Sequence, residues 1–410
     1  MITNFYIKRR HRVAALVTHP IQYQVPLFRK LSRHPDIELK VFFYSDIGAR
    51  AYRDNDLQCE VKWDIPLLDG YDYTFLRSWN PMPNRSRTID LLNPSIVNWL
   101  RKGQFDAVWV HGWSHATTWL SLLSAQLLHV PILLRAETNL LTPLKGWKKI
   151  VKRPLLGLLF KRIDAFLAIG RYNTEFYQNY GVPDKKIFLV PYAVDNDFFI
   201  DKARQFLIQK QKLKREFGIN PDLPVILFSG KLVPWKRPLD LLLAFEAVSN
   251  DAPSALVYVG SGPLESSLKD FTKQKRLQHV CFMGFQNQSQ ISKFYAMADI
   301  FVLPSEMDPW GLVVNEAMCF GLPVIVSNRV GASGDLVQDG VNGYTFPVGD
   351  IRTLAHLLQT VIKDTFLRTA MGRASTEIIS KWSYKEDVQG ILSCLDSLSR
   401  RQTIVTEKTY

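Results

Sequence analysis

The stretch from residue 303 to residue 328 constrains the fold of this chain more than any other part of the sequence. Its apolar run, residues 312–320, predicts a short helix, because Gly321 and Pro323 follow directly and are typical of helix ends. The residues from Pro323 to Val326 are short and β-branched, as expected for a strand buried on both faces. A helix followed at once by such a strand favours an α/β fold with a parallel sheet.

The same stretch combines a phosphate-binding backbone with two carboxylates. Gly311 precedes the predicted helix, so the amides after it lie at a helix N-terminus, where unpaired N–H groups and the helix dipole favour a phosphate. Asp308 comes just before that end, and Glu316 lies about one turn inside it. Carboxylates suit sugar hydroxyls rather than phosphate oxygens. The residues therefore predict one cleft for a diphosphate, a ribose and a hexose, which together describe a nucleotide sugar.

The segment from Asp308 to Glu316, DPWGLVVNE, is followed by AMCFGLPVIVS and resembles the E-x7-E segment of family 4 glycosyltransferases. Members of that family are retaining enzymes of GT-B architecture, in which two Rossmann-like domains face each other. The first acid differs, because Asp308 stands where the family has Glu. Glu306 has the family's residue type but lies ten positions before Glu316 instead of eight. The position of Gly311 favours Asp308 as the acid at the cleft.

The length and composition predict more than one packed domain. A chain of 410 residues is too long for one core, and an apolar content of 47% is ample for globular domains. We expect Rossmann-like domains at 1–200 and 201–381, and a final segment, 382–410, that returns to the first domain as in the family. The four cysteines include no C-x-x-C pair, which excludes a cysteine-based zinc site and suits a reducing cytosol. No apolar run reaches 18 residues, so no spanning helix is predicted.

The net charge of +13 lies mostly in the first half, where residues 1–200 hold 27 Lys and Arg against 17 Asp and Glu. The sequence has no recognisable nucleic-acid motif, so no nucleic-acid partner is expected, and an anionic membrane surface or an acidic acceptor is the predicted partner. Residues 145–162 alternate basic clusters with apolar residues, which predicts a helix in the headgroup region of an anionic bilayer. The alternative is a helix packed on its domain with solvated lysines.

The second domain carries the residues expected to bind the donor. A predicted strand, 225–228, leads to Gly230, which lets backbone amides approach phosphate, and to Lys231 and Lys236, which supply charge. This resembles the family segment in which an Arg and a Lys five residues later bind the donor diphosphate. Lys236 matches that Lys, whereas Lys231 replaces the Arg. The predicted donor set is Gly230, Lys231, Lys236, Gly260, Gly262, Phe285, Asp308, Gly311, Leu312, Val313 and Glu316.

Polar residues at the predicted strand ends of the first domain indicate an acceptor side. The β–α–β alternation favours a parallel sheet whose strand ends face a crevice. The predicted acceptor set is His19, Gln22, Tyr23, His111, Arg135 and Glu137. Many family members carry a functional His on the strand that corresponds to residues 132–138, and Glu137 stands there in this chain. The candidate catalytic residues are therefore Asp308, Lys236, Lys231 and Glu137.

The sequence also supports predictions for three further segments. Residues 45–88 are predicted to be irregular, and they are either an acceptor-recognition insert or a packed surface excursion. Residues 202–215 are predicted to be a basic helical bridge between the domains. Asp195 and Asp197 have the D-x-D form that other glycosyltransferases use for a divalent metal, but two carboxylates alone are weak evidence of a site. Because the surrounding residues resemble the family's interdomain linker, we expect no metal and no cofactor.

These observations predict a cytosolic, retaining, metal-independent glycosyltransferase, most simply a hexosyltransferase. Its acceptor would be a glycan or a lipid-linked molecule. The prediction extends to peripheral attachment of the enzyme to the inner face of the membrane. One alternative is a catalytically silent scaffold of the same fold, which the departures at Asp308, Lys231 and Glu137 support. The other is a sugar-nucleotide epimerase of similar architecture, although the acidic motif of this chain and its spacing match the transferases better.

Overall fold

The protein is described here by a computed structural model that covers residues 10–79, 91–141 and 147–407, with side chains for all of these but 147–152 and 402–407. Its strands and helices form two parallel sheets with helices packed on them. The sequence prediction of an α/β chain with two Rossmann-like domains is confirmed.

The first domain contains a seven-stranded parallel sheet in the order β5-β2-β1-β6-β7-β8-β9. The strands of the domain are β1 His11–Val17, β2 Ile37–Phe43, β3 Tyr52–Asp54, β4 Cys59–Val61, β5 Asp72–Phe75, β6 Ala107–His111, β7 Ile132–Arg135, β8 Ala165–Ala168 and β9 Ile187–Leu189. Its helices are α1 Val25–Arg33, α2 Ser95–Gly103, α3 Ala116–Leu127, α4 Trp147–Lys161 and α5 Arg171–Asn179. The central strands are short apolar runs buried on both faces, which is why they form a covered parallel sheet.

The second domain contains a six-stranded parallel sheet in the order β12-β11-β10-β13-β14-β15. Its strands are β10 Val225–Ser229, β11 Ala255–Val259, β12 Val280–Phe282, β13 Ile300–Leu303, β14 Val324–Ser327 and β15 Gly343–Phe346. The helices from α6 onward are α6 Asn196–Leu207, α7 Lys210–Glu216, α8 Pro238–Val248, α9 Glu265–Gln274, α10 Gln288–Met297, α11 Leu312–Cys319, α12 Ile351–Lys363, α13 Thr365–Ile379 and α14 Tyr384–Glu407. The predicted helix at 312–320 and the strand after it correspond to α11 and β14.

The chain crosses between the domains twice. Helices α6 and α7 bury Phe199, Ala203 and Leu213 in the core of the second domain. The predicted bridge at residues 202–215 is therefore wrong, because the first crossing precedes α6. The second crossing precedes α14, which buries Ile391 and Leu395 against the first domain.

The segment at residues 45–88 is more ordered than predicted, as far as residue 79, where its described part ends. Strand β5 pairs with β2 and extends the first sheet. Strands β3 and β4 pair with each other and form a separate antiparallel ribbon. The prediction of an irregular insert is wrong for these three strands. They are short and mix polar with apolar residues, so their pattern resembles that of a loop.

Across the ranges that the structure describes, no helix combines the length and the apolar character needed to cross a lipid bilayer.

Candidate active site

The loop between β13 and α11, residues 304–311, is held by both domains. Within the second domain, the amide of Gly331 donates a hydrogen bond to the carbonyl oxygen of Asp308 at 3.0 Å. From the first domain, the side-chain amide of Asn139 donates to the carbonyl oxygen of Pro309 at 2.9 Å. The loop therefore has a fixed position at the boundary between the domains.

Gly311 is required where this loop turns into α11. Its φ of 91° lies in the left-handed region, and a Cβ there would come within 2.9 Å of Val330 Cγ1. Glycine adopts this conformation without the steric cost that a side chain brings. The first amides of a helix have no intrahelical partner, so Leu312 and Val313 present the N–H groups on which the phosphate prediction depends.

Asp308, in the loop between β13 and α11, forms an ion pair with Lys236. The ammonium group of Lys236 donates to Asp308 Oδ2, and the two side chains are mostly buried, with 19% and 9% of their surfaces exposed. Glu306 is 60% exposed and accepts a hydrogen bond from Arg237 Nη1 at 3.3 Å. Of the two acids in the loop, the one at the family spacing is thus the one whose side chain is mostly buried, and it pairs with Lys236.

Lys231 lies in a more acidic environment. Its Nζ is 2.9 Å from Asp56 Oδ2 and 3.2 Å from both carboxylate oxygens of Asp54, and both acids belong to the first domain. Burial opposes the charged form, but the hydrogen bonds to Asp56 and Asp54 outweigh it and raise the pKa of Lys231. Because two carboxylates share one ammonium, Lys231 is the weaker of the two lysine candidates for a diphosphate.

A cavity of about 180 Å³ lies beside the second sheet, and we call it the donor cavity. The first domain contributes Gln22, Leu57 and Trp63 to its lining, although the sequence placed Gln22 on the acceptor side. Six of the predicted donor residues line it, and they are Gly230, Lys231, Gly260, Phe285, Val313 and Glu316.

Gly260 and Gly262 allow the loop after β11 to approach the loop after β10. A Cβ on Gly260 would lie 1.9 Å from the carbonyl oxygen of Gly230, and one on Gly262 would lie 2.6 Å from that of Leu232. The two glycines therefore shape the donor cavity by close backbone packing.

Glu316 forms part of the wall of the donor cavity. Its Oε2 accepts a hydrogen bond from the hydroxyl of Tyr295 at 2.6 Å. Burial raises the pKa of Glu316 to about 7, although the hydrogen bond from Tyr295 opposes this shift. A carboxyl group with a raised pKa keeps its proton to a higher pH than a solvated one, and in that form it can also donate a hydrogen bond to a hydroxyl.

A larger cavity of about 820 Å³ lies at the carboxyl ends of β6 and β7, and we call it the acceptor cavity. Its lining includes His111, Arg135 and Glu137 from the predicted acceptor set. Pro309 of the second domain also lines it. Since Pro309 follows Asp308 directly, the acceptor cavity borders the loop that carries the candidate acid.

Glu137 is an exposed residue whose carboxylate contacts two tyrosines. The hydroxyl of Tyr192 donates to Glu137 Oε1, and the hydroxyl of Tyr23 reaches the same oxygen at 3.5 Å. Although the residue is exposed, the groups around its carboxylate desolvate it and raise the pKa of Glu137, and the charge of Asp308 acts in the same direction. The two candidate carboxylates therefore lie close enough to interact across the domain boundary.

His111 is a neutral group in the acceptor cavity. Its Nδ1 is 3.4 Å from Gln24 Nε2, and its Nε2 is buried with no hydrogen-bond partner among the described residues. Burial lowers the pKa of His111 well below its usual range, and the charge of Arg135 adds to the effect. The Nε2 of His111 is therefore a buried polar atom with an unused hydrogen-bonding capacity next to the acceptor cavity.

Two other members of the predicted acceptor set have protein partners. Arg135 donates to the carbonyl oxygens of Val190 and Pro191 at 3.2 and 3.0 Å and pairs with Asp387 at 3.2 Å, so it ties β7 to α14. His19 Nδ1 lies 2.8 Å from the hydroxyl oxygen of its neighbour Thr18.

The D-x-D carboxylates have structural partners. Asp195 accepts a hydrogen bond from the amide of Phe198 at 3.2 Å and caps α6. Asp197 pairs with Lys30 of the first domain at 2.8 Å. Both contacts agree with the interpretation of this pair as part of an interdomain connection.

Sequence reasoning missed three aromatic residues: Tyr192 lines the acceptor cavity, Trp63 lines the donor cavity, and Tyr295 contacts Glu316 in the wall of the donor cavity. Tyr192 lies three residues after the end of β9, and a position so close to a strand end was a usable signal. Tyr295 lies on the buried face of α10, where an aromatic residue is normally interpreted as part of the hydrophobic core. Trp63 belongs to the segment predicted to be irregular, and its contact with Phe285 of the second domain has no local signal in the sequence.

Two family models match successive parts of the chain. The model described as Glycosyltransferase Family 4 matches residues 36–198, and the model described as Glycosyl transferases group 1 matches residues 209–378. The first match falls on the domain of the seven-stranded sheet and the second on the domain of the six-stranded sheet.

Curated relatives share part of the sequence. N-acetyl-alpha-D-glucosaminyl L-malate synthase of Bacillus anthracis is 31% identical over 182 residues, which are 44% of this chain and 47% of that protein. The UDP-Gal:alpha-D-GlcNAc-diphosphoundecaprenol alpha-1,3-galactosyltransferase of Escherichia coli is 27% identical over 82% of this chain and 87% of that protein. The match spans less than half of the relative's own length for three relatives, one of which is the Bacillus anthracis synthase.

A solved structure with the same architecture is that of HepE from Anabaena in complex with UDP and glucose. It matches 95% of this chain and 100% of its own with a TM-score of 0.71 and 17% sequence identity, which establishes a shared fold. With one glycosyltransferase model matching each of its two domains and with this fold, the chain belongs to the family 4 glycosyltransferases of GT-B architecture.

Proposed function

We propose that the protein is a retaining glycosyltransferase that moves a sugar from a nucleotide-sugar donor to a hydroxyl of a glycan or lipid-linked acceptor. The observation that carries the proposal is the adjacency of the two cavities. One short segment contributes Pro309 to the acceptor cavity and Val313 and Glu316 to the donor cavity. A donor sugar held near Asp308 would thus lie between the donor cavity and the acceptor cavity.

The donor would lie with its ribose at Glu316, its diphosphate at Lys236 and the first amides of α11, and its sugar at Asp308. A lysine ammonium has three donors, so Lys236 can retain Asp308 and still donate to a phosphate oxygen. Lys231 lines the donor cavity but would contribute less to binding the diphosphate, because its donors are directed at Asp54 and Asp56.

In the transfer, the bond from the anomeric carbon to the diphosphate oxygen breaks, and a bond from that carbon to the acceptor oxygen forms on the same face. The departing diphosphate takes the electron pair, and Lys236 with the helix amides stabilises the developing charge. The acceptor hydroxyl loses its proton. Glu137 lines the acceptor cavity and is the candidate to receive that proton.

The relatives support this substrate class. The name of the Escherichia coli relative specifies a UDP sugar and a diphosphoundecaprenol-linked acceptor. The solved Anabaena structure contains UDP and glucose. A nucleotide-sugar donor and a lipid-linked acceptor are therefore the first substrates to test on this chain.

We expect the purified protein to release nucleoside diphosphate from one member of a panel of UDP, GDP and ADP sugars, and to retain that rate in excess EDTA. The physical reason is that side chains and helix amides, without a metal, would stabilise the leaving diphosphate. Release is measured by a coupled assay, and the donor is first identified by thermal shift, since a ligand at 100 times its Kd stabilises a protein by about 2.7 kcal/mol.

The Asp197→Ala variant is the matched control, because Asp197 pairs with the exposed Lys30 and its loss leaves the cavities unchanged. A rate abolished by EDTA and restored by Mg²⁺ or Mn²⁺ would contradict metal independence. Binding of a donor without any release would favour the silent scaffold, and formation of an epimeric sugar would favour the epimerase.

We also propose that the first domain docks on an anionic membrane surface through α3 and α4. Leu155 and Leu158 of α4 are 52% and 62% exposed, while Leu156 of the same helix is buried in the core. On α3, Leu127 is 72% exposed. Arg162, just after α4, donates to Gln126 of α3 at 3.3 Å, so the C-terminal ends of the two helices lie near each other. Exposed leucines flanked by basic residues suit the headgroup region. The side chains of residues 145–152, which the sequence prediction included, lie outside the described residues.

Leu158→Glu is expected to weaken binding to vesicles that contain phosphatidylglycerol by roughly 10- to 150-fold. Burying a leucine side chain contributes about 1.5–3 kcal/mol, and the new charge adds repulsion from the anionic surface. Vesicle co-sedimentation measures the change. Phe366→Glu is the matched control, since Phe366 is 90% exposed on the second domain, at α13. Equal losses in both variants, or no loss in either, would rule out this docking face.

A further inference from the structure

The ribbon formed by β3, β4 and the residues that follow, residues 52–64, reaches from the first domain onto the second. Asp54 and Asp56 pair with Lys231 at 3.2 and 2.9 Å. Further along, the side-chain amide of Asn287 donates to the carbonyl oxygen of Lys62 at 2.6 Å. The ribbon is thus anchored at its turn and again past its second strand.

Close to these two anchors, the ribbon contributes apolar side chains to the donor cavity. Leu57 is 8% exposed, and Trp63 is half-buried. Both line the cavity together with Gly230 and Glu316 of the second domain. The ribbon therefore closes a side of the cavity that the second domain leaves open.

Trp63 lies against an aromatic residue of the second domain. The rings of Trp63 and Phe285 are 6.2 Å apart between centroids and meet at 68°, edge to face. Phe285 lines the same cavity, so two aromatic side chains from different domains stand at its wall. Flat aromatic surfaces bind nucleobases by stacking, whatever the base, because every base has a π face.

We propose that the ribbon is the first domain's part of the donor site, in which Trp63 contacts the base of the bound nucleoside diphosphate. This inference rests on the proposed function, because it places a nucleotide in the donor cavity. The inference adds that the affinity for the donor depends on Trp63, a residue of the first domain, which also holds the acceptor cavity. Lys231 acts in this arrangement as a positioning residue, since its ion pairs hold the turn of the ribbon on the second domain.

The test measures binding of UDP, GDP, ADP and inorganic pyrophosphate to the full-length protein by calorimetry. Trp63→Ala is expected to weaken the nucleoside diphosphate that binds best by roughly 5- to 150-fold, the range for loss of one stacked base. Pyrophosphate has no base, so its affinity should stay the same. Trp63→Leu keeps an apolar side chain in the ribbon and should show the same selective loss, whereas Trp63→Phe should restore most of the affinity.

Trp79→Ala is the matched control, because Trp79 belongs to the same domain and is 79% exposed. It should bind every probe as the unchanged protein does. Unchanged nucleoside diphosphate affinity in folded Trp63→Ala and Trp63→Leu would overturn the inference and leave the proposed function intact. An equal loss of pyrophosphate binding would overturn it as well, since the effect would then be independent of the base. Failure of the unchanged protein to bind any nucleotide would overturn the proposed function itself.

Discussion

Lys236→Ala is expected to lower the turnover of the nucleotide sugar by about 10²- to 10³-fold, the typical effect of removing one donor that stabilises developing negative charge. The proposed leaving group is a diphosphate, and Lys236 is a mostly buried ammonium whose single carboxylate partner is Asp308 in the described contacts. Release of nucleoside diphosphate at saturating donor measures kcat directly. The same assay over a donor series gives kcat/KM.

Lys231→Ala is the natural comparison for this variant. Lys231 already shares its charge between Asp54 and Asp56, so its loss should lower kcat much less than the loss of Lys236. Lys236→Arg keeps a positive charge and should recover part of the rate. Near-normal kcat in folded Lys236→Ala would count against a diphosphate site at this position. A larger effect at Lys231 than at Lys236 would reverse the assignment of the two lysines.

The fold could be predicted because its core elements have strong local patterns. Strand β14 is a continuous β-branched run, and α11 is an apolar run ended by glycine. Each is recognisable within about ten residues of sequence, and their order along the chain specifies a parallel sheet with crossover helices. The two sheets therefore follow from patterns that need no knowledge of distant contacts.

The ribbon could not be predicted for the opposite reason. Its strands β3 and β4 have three residues each, and its position depends on ion pairs such as that of Asp54 with Lys231, which are 177 positions apart in the chain. No local pattern in Asp54 or Asp56 distinguishes an interdomain anchor from a solvated surface acid. The contribution of Trp63 to the donor cavity depends on the same long-range contacts.

The candidate site shows the same division. The positions of Gly311 and Asp308 could be predicted because a helix N-terminus and the residues before it are local features. The surroundings of Glu137 could not, since the hydroxyl that contacts it belongs to Tyr192, 55 positions later. A single sequence therefore predicts the groups that contact a ligand better than it predicts the residues that surround those groups.

Asp308→Asn is expected to lower kcat roughly 10- to 150-fold, because a hydrogen bond to a charged group contributes about 1.5–3 kcal/mol. The substitution keeps the size of the side chain and removes the charge that would hold the hydroxyls of the transferred sugar. It also removes the ionic partner of Lys236, so the melting temperature must be measured beside kcat. A folded protein with strongly reduced nucleoside diphosphate release is the expected outcome.

Glu306→Gln supplies the comparison within the same loop, and it should change kcat by less than about twofold. Glu306 is 60% exposed and pairs with Arg237 at the surface, whereas the Asp308 side chain is 9% exposed and pairs with Lys236. The family has Glu at the first acidic position, so residue type favours Glu306 and spacing favours Asp308. The structure places Asp308 next to Lys236 and near Glu137, and for that reason we assign the role by spacing. A large effect of Glu306→Gln with a small effect of Asp308→Asn would mean that residue type decides. If neither substitution altered kcat, the sugar would have to be held by a different part of the cleft.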